Sequence, residues 1–420
     1  MLLRLVSSLS LMAFGIPSVL AGSRAWESSI KYSRVVHHEV IQARELPFEL
    51  YGNGTNVTKG HDASANEPLP NAQYHYHDSS TRSVHKRWFG IEEDGITQRF
   101  WPQGNIKVCF EQAVWGSDSK STEEILRGPL EEARALWRDK GLDDDEGWFK
   151  WDVQDDKKWC SDRYNRPNFL LVIYAGPGVT NMATTPGMGP NLSPDNPANT
   201  YEKLGPRMVL SDVLTMGHQN VVANYAHEMG HSWGFHHEHQ NPDWWGEAWS
   251  GEPRNNYFFG EGSFFCERLA DYADAVARID ASTSLTVSEK AKEKELLCHS
   301  RKIASDWMFA GGLNYLPVLS GGQWDKKSQP DYTSIMIYPS TAGNGNTGSG
   351  TGQAILLTKP NGDVIKPVTR PSSLDIEGLR KMYKGSPKKS VGKLLNRKGS
   401  ELFNTFKNVL KKDPDAGCLS

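Results

Sequence analysis

Cysteine is scarce, with 5 in 420 residues. That excludes a small scaffold held mainly by disulfides, so the fold has to rest on a hydrophobic core. Charge of one sign is also lacking: 47 Lys and Arg stand against 50 Asp and Glu, a net charge of −3. Without a basic excess to meet a phosphate backbone, no nucleic-acid partner is expected. Long apolar runs are missing as well. Past the first stretch, no segment reaches the ~18 apolar residues that a membrane-spanning helix needs, so no transmembrane anchor is expected. What remains is a chain with 38% hydrophobic residues and 14 Trp, the balance of a globular protein with a sizeable core.

The two ends of the chain differ in composition from its middle. Residues 1–21 read as a secretory signal peptide: Arg4 supplies the positive start, an apolar run follows from Leu5 to Leu20, and Val19-Leu20-Ala21 offers a cleavage site. Secretion is the expected localisation. Residues 22–87 are polar and carry two glycosylation sequons, Asn53-Gly54-Thr55 and Asn56-Val57-Thr58. They end at the dibasic pair Lys86-Arg87, just before Trp88. That pair fits a secretory-pathway processing convertase, which makes 22–87 a candidate pro-segment of a zymogen. At the other end, residues 386–420 form a basic tail, with Val391, Leu394, Leu395, Leu402, Phe403, Phe406 and Leu410 spaced for an amphipathic helix. In an oxidising compartment Cys109, Cys160, Cys266 and Cys298 are disulfide candidates. Three pairings are open, and the nearest-neighbour choice is Cys109–Cys160 with Cys266–Cys298. Cys418 is left over.

The chemistry concentrates between His227 and His239, where the chain reads HEMGHSWGFHHEH. It contains the pattern HExxHxxGxxH. The spacing sets His227 and His231 one helical turn apart on one face, where both imidazoles reach one metal ion. Glu228 faces the same cavity as a general base. Gly234 lets the chain leave the helix through the left-handed region, so that a third imidazole, His237, comes back to the same ion. Three neutral nitrogens leave one position of a tetrahedral zinc open, the arrangement of a catalytic centre rather than a structural one. His236 and His239 do not fit the spacing and are not expected to be ligands. His218 is expected to be structural.

The motif resembles that of the metzincin zinc peptidases. Phe235 after the glycine and Glu238 after the third histidine narrow the resemblance to the astacin family. A downstream stretch, Asp331-Tyr332-Thr333-Ser334-Ile335-Met336-Ile337-Tyr338, resembles the family's SxMxY Met-turn. The resemblance implies a secreted zinc-dependent endopeptidase acting on protein or peptide substrates through a metal-activated water, with one Zn2+ per chain. It implies that Met336 forms an apolar floor under the metal. It implies that Tyr338 is an additional ligand that swings away to steady the reacting carbonyl, and that Glu238 binds the freed N-terminus of the mature enzyme. It also implies the fold: α+β, metzincin-like, with a twisted mixed sheet and long helices in an upper subdomain, the zinc helix across the cleft, and an irregular, mostly helical lower subdomain. The resemblance spans residues 88–385. Departures are Ile337, where the family often has His, the lack of a basic residue near Asn241, and the absence of a Phe-x-Gly-Asp stretch in 22–87. Two alternatives stay open: a secreted zinc-binding interaction protein that has lost turnover, and a peptidase of another metzincin branch.

Local signals fill in the elements. Residues 121–139 are expected to be helical, with Ser121 and Glu124 as a capping box. Strands are expected over 149–153, over the apolar run 168–175 and over 208–210, and the astacin resemblance implies that this last strand is the rim that pairs with substrate. The zinc helix is expected from about Asn220 to Trp233. Further helices are expected over 264–280 and 287–305, with a hairpin around Asn361-Gly362, and residues 374–383 resemble the terminal helix of the astacin family.

Overall fold

The computed structural model describes residues 89–91, 98–142, 147–319, 322–324, 329–344 and 354–383. The leader, both sequons, Lys86-Arg87, the basic tail and Cys418 lie outside the described residues. The strands are β1 (Phe89–Ile91), β2 (Ile106–Phe110), β3 (Val114–Trp115), β4 (Lys120–Ser121), β5 (Trp151–Val153), β6 (Leu170–Tyr174), β7 (Ala183–Thr184), β8 (Arg207–Leu210) and β9 (Gly322–Trp324). The helices are α1 (Thr122–Asp139), α2 (Lys157–Ser161), α3 (Val221–Ser232), α4 (Glu247–Ser250), α5 (Tyr272–Ala281), α6 (Val287–Leu296), α7 (Arg301–Asp306), α8 (Ala310–Tyr315) and α9 (Ser373–Met382).

A five-stranded mixed sheet in the order β5-β2-β6-β8-β7 frames the molecule, parallel except for the antiparallel edge strand β7. Its pleat sorts the side chains. Ile106, Val108 and Phe110 of β2 and Leu170, Val172 and Tyr174 of β6 enter the main core. Cys109 and Leu171, on the opposite face, join Phe169 and Cys160 in a small second cluster. The main core is closed by α1 and α3. The helix α1 starts where its sequence says it should: the Ser121 hydroxyl accepts from Glu124 N at 3.2 Å, and the Glu124 carboxylate accepts from Ser121 N at 2.7 Å. Its buried stripe of Leu126, Leu130, Ala133 and Trp137 packs toward α3, and the Trp137 indole donates to Ala226 O at 2.9 Å.

Both nearest-neighbour disulfides form, Cys109–Cys160 and Cys266–Cys298. The second sits in the mostly helical region after α3, where the Trp249 indole of α4 donates to Cys298 O at 2.9 Å and Trp244, Trp245, Phe259 and Cys266 belong to the main core. Among the described residues no helix is long and apolar enough to cross a membrane.

Three element expectations change. The strand expected over 149–153 begins only at Trp151, because Phe149 has φ 55°, a left-handed conformation that no strand accepts. The helix expected over 264–280 is a 3₁₀ turn, Cys266–Arg268, followed by α5. Leu269 breaks it by turning extended and bridging to Asn344. The helix expected over 287–305 is two, α6 and α7, divided around the disulfide-bonded Cys298, with Ser300 capping the second by accepting from Ile303 N. The expected rim is also displaced. Residues 207–210 lie inside the sheet, and β7 is the edge strand beside them.

Candidate metal centre

The helix α3 carries the site through the middle of the molecule. The Asn220 side chain caps it by accepting from Ala223 N at 2.9 Å, and every residue from Ala223 to Ser232 is buried. A buried helix end leaves carbonyls that need donors. Here the Trp101 indole donates to Ser232 O at 2.8 Å, and the Tyr383 hydroxyl to Trp233 O at 3.0 Å. Gly187 N donates to His231 O at 3.0 Å.

Gly234 then takes φ 106°. Its N–H donates to His231 O at 2.7 Å, and Phe235 N donates to Gly230 O at 3.1 Å. The chain reverses in the way the motif requires. It is fixed there by β1: Ile91 N donates to Gly234 O at 2.8 Å, and His236 N to Phe89 O at 3.0 Å. On its other edge β1 pairs antiparallel with β9.

His227, His231 and His237 come together, all buried, as a group that can hold one metal ion. The His231 Nε2 atom lies 3.0 Å from His227 Nε2 and 3.2 Å from His237 Nε2. The opposite ring nitrogens decide what those atoms are. His227 Nδ1 faces Ile335 O at 2.7 Å, and His231 Nδ1 faces Phe235 O at 2.7 Å. His237 Nδ1 faces Gln240 Oε1 at 2.9 Å. Carbonyl oxygens only accept, so each Nδ1 carries the hydrogen and each Nε2 presents a lone pair. Three lone pairs pointed at one another repel unless a cation lies among them. A tetrahedral ion with bonds of about 2.0–2.1 Å sets its nitrogens about 3.3 Å apart, so the residues present fit zinc.

Met336 lies under this helix. A Cβ at Gly230 would stand 2.4 Å from Met336 Sδ, so the glycine is the notch that admits the thioether. The turn carrying Met336 is wired to the histidines. Ile335 O takes the His227 Nδ1 hydrogen bond and, at 2.9 Å, one from His218 Nε2. His218 Nδ1 in turn accepts from Val368 N at 3.0 Å. Burial pushes its imidazolium down to about 3, so this histidine is a neutral strut.

Glu238 N donates to Met336 O at 2.9 Å, and the Glu238 carboxylate accepts from Asp331 N at 2.9 Å. The Tyr338 ring, fully buried, lies 4.2 Å from the His237 ring and 4.7 Å from that of His239, centre to centre. Glu228 is fully buried on α3 beside His227. His239 donates through Nε2 to Asn314 O at 3.0 Å, and the His236 ring lies tilted against that of Phe89 at 5.0 Å, so neither belongs to the triad.

The motif spacing gives no hint of Gln240, Gly230 or the Ile335 carbonyl. Gln240 shows only as a polar residue three positions after His237. Gly230 is a lone helical glycine whose packing reason appears only with Met336 in place.

No family model and no curated protein matches the chain. Among solved structures it is similar to myroilysin, at 15% identity over 72% of this chain and 100% of that one, TM-score 0.34. It is also similar to high choriolytic enzyme 1, a hatching enzyme zinc-protease from the medaka fish Oryzias latipes. That likeness has 13% identity over 70% of this chain and 96% of the other, TM-score 0.33.

Proposed function

We propose that this chain is a secreted, astacin-like zinc endopeptidase made as a zymogen. The observation that carries the zinc site is the convergence of three Nε2 lone pairs at 3.0 and 3.2 Å with every Nδ1 hydrogen engaged elsewhere. Gly234, Phe235, Glu238 and the Met336-Ile337-Tyr338 turn support the astacin branch by their resemblance to its motifs.

His227, His231 and His237 would hold the ion. When bound, zinc supplies a Lewis acid that acidifies water and polarises a carbonyl. Glu228 takes the proton from the attacking water and delivers it to the leaving amine nitrogen. The Tyr338 hydroxyl donates a hydrogen bond to the oxygen on which negative charge develops. The edge strand β7 offers backbone groups to an extended peptide, which gives binding with little sequence preference. Glu238 receives the new N-terminus after cleavage at Lys86-Arg87.

The test is a purified, processed protein assayed on casein with and without a chelator, beside Glu228→Ala. The expected result is one zinc per chain in both proteins, chelator-sensitive cleavage by the unaltered chain, and turnover lower by at least ~100-fold in the variant. Near-normal cleavage by Glu228→Ala sinks the general-base assignment.

A further inference from the structure

His237 is the one candidate ligand outside the helix, and its ring has a holder of a different kind. The Nδ1 atoms of His227 and His231 are held by backbone carbonyls, whereas that of His237 is held by a side chain, Gln240. The Gln240 amide has only one sensible orientation. Its Nε2 donates to Leu313 O at 3.0 Å, which turns Oε1 toward His237.

Leu313 O also accepts from the Arg301 guanidinium, which reaches Leu316 O at 2.9 Å as well. The Gln240 carbonyl accepts from Val318 N at 2.9 Å. His239, stacked on His237 with rings 5.1 Å apart, is tied to the same segment through Asn314 O. The third ligand is therefore connected by hydrogen bonds to residues 301–318, far along the chain. Loss of the Gln240 acceptor would free the imidazole to rotate or to move its hydrogen to Nε2, and either change withdraws the lone pair.

We propose that Gln240 is a positioning residue for His237, and that through it the 301–318 segment sets how tightly the centre holds its ion. This rests on the zinc-site reading above. Outer partners of metal-bound histidines typically govern ~10–100-fold of metal affinity.

The experiment strips the purified full chain with a chelator and measures Zn2+ affinity by competition with a chromophoric chelator. The visible spectrum of the Co2+ form serves as a second readout. Gln240→Leu is expected to weaken Zn2+ binding ~10–100-fold and to change the Co2+ spectrum, while the stripped variant melts as a folded protein. Gln240→Glu is expected to restore affinity to within a few-fold, because in this buried setting the carboxyl is held neutral: one oxygen still accepts from Nδ1 and the protonated one donates to Leu313 O as the amide did. Unaltered Zn2+ affinity in Gln240→Leu overturns the proposal. So does a Gln240→Glu variant as weak as Gln240→Leu, which would mark the residue as a mere packing element. Failure of the unaltered chain to bind Zn2+ sinks the proposed function itself and this inference with it. Normal binding by every variant sinks only the inference.

Discussion

At the scale of single residues, the phenol of Tyr338 separates an astacin-like centre from a generic zinc site. Tyr338→Phe removes only the hydroxyl and leaves the ring packed against His237 and His239. We expect metal content to stay at one and turnover to fall by roughly 10- to 1,000-fold, the size of losing one oxyanion donor. Unchanged turnover with a raised KM would instead mean that the hydroxyl binds substrate in the ground state. Gly230 makes a second residue-scale prediction, because two effects compete there. Alanine is favoured over glycine inside a helix by about 1 kcal/mol, but its methyl would stand 2.4 Å from Met336 Sδ. Overpacking a tight core costs about 1–3 kcal/mol, so Gly230→Ala should lower stability by roughly 1 kcal/mol net, read by denaturant titration of the chelated protein. A gain in stability would show that Met336 is free to retreat. The triad was legible in the sequence because i, i+4 spacing and a left-handed glycine are local facts. Gln240 and Gly230 were not, since each owes its role to a group brought in from far along the chain: Leu313 and Met336.

At the scale of elements, the first turn of α9 holds the Met-turn. The Asp375 carboxylate accepts from Ser334 Oγ at 2.6 Å, Ile335 N at 3.0 Å and Ser372 N at 2.7 Å. Asp331 joins through Ser372 Oγ at 2.8 Å. Burial first, and the Asp331 charge second, raise the Asp375 carboxyl from 3.8 to about 6. A group raised on folding lends its stability below the unfolded value and loses it as pH climbs through the folded one. Asp375 should therefore weaken the fold progressively between about pH 4 and 6, by on the order of 3 kcal/mol in all. Asp375→Asn should flatten that slope, so the difference in unfolding free energy between variant and unaltered chain should shift in the variant's favour from pH 4.5 to pH 7.5. An identical difference at both pH values would show that Asp375 does not titrate there. Elements with strong local grammar were readable, such as the capping box of α1 and the apolar run of β6. The breaks at Phe149, Leu269 and Cys298 were not, because a left-handed residue, a bridge to Asn344 and a disulfide are set by tertiary partners.

At the scale of the whole molecule, the proposed processing point after Arg87 stands in sequence just before β1, the strand that fixes the turn to His237. Replacing Lys86-Arg87 by two alanines should leave a larger secreted form without casein cleavage, and the active unaltered protein should begin at Trp88 on N-terminal sequencing. A start elsewhere would move the pro-segment boundary and remove the proposed partner of Glu238. The overall architecture was foreseeable from the order of its motifs, but the edge position of β7 was not, because two residues carry no periodic signal. The strap formed by β1 also bears on time as well as space. His227 and His231 need only one helical turn to face each other, whereas the turn that delivers His237 is stitched to residues 89–91 on one side and, through Glu238 to Met336 and Gln240 to Leu313, to residues beyond 300 on the other. Pairings of such sequence separation form late in folding. A refolding chain therefore meets zinc first with a two-toothed claw and acquires its full grip only when distant stretches have docked. Metal added early should change the rate of the last refolding phase and leave the first untouched.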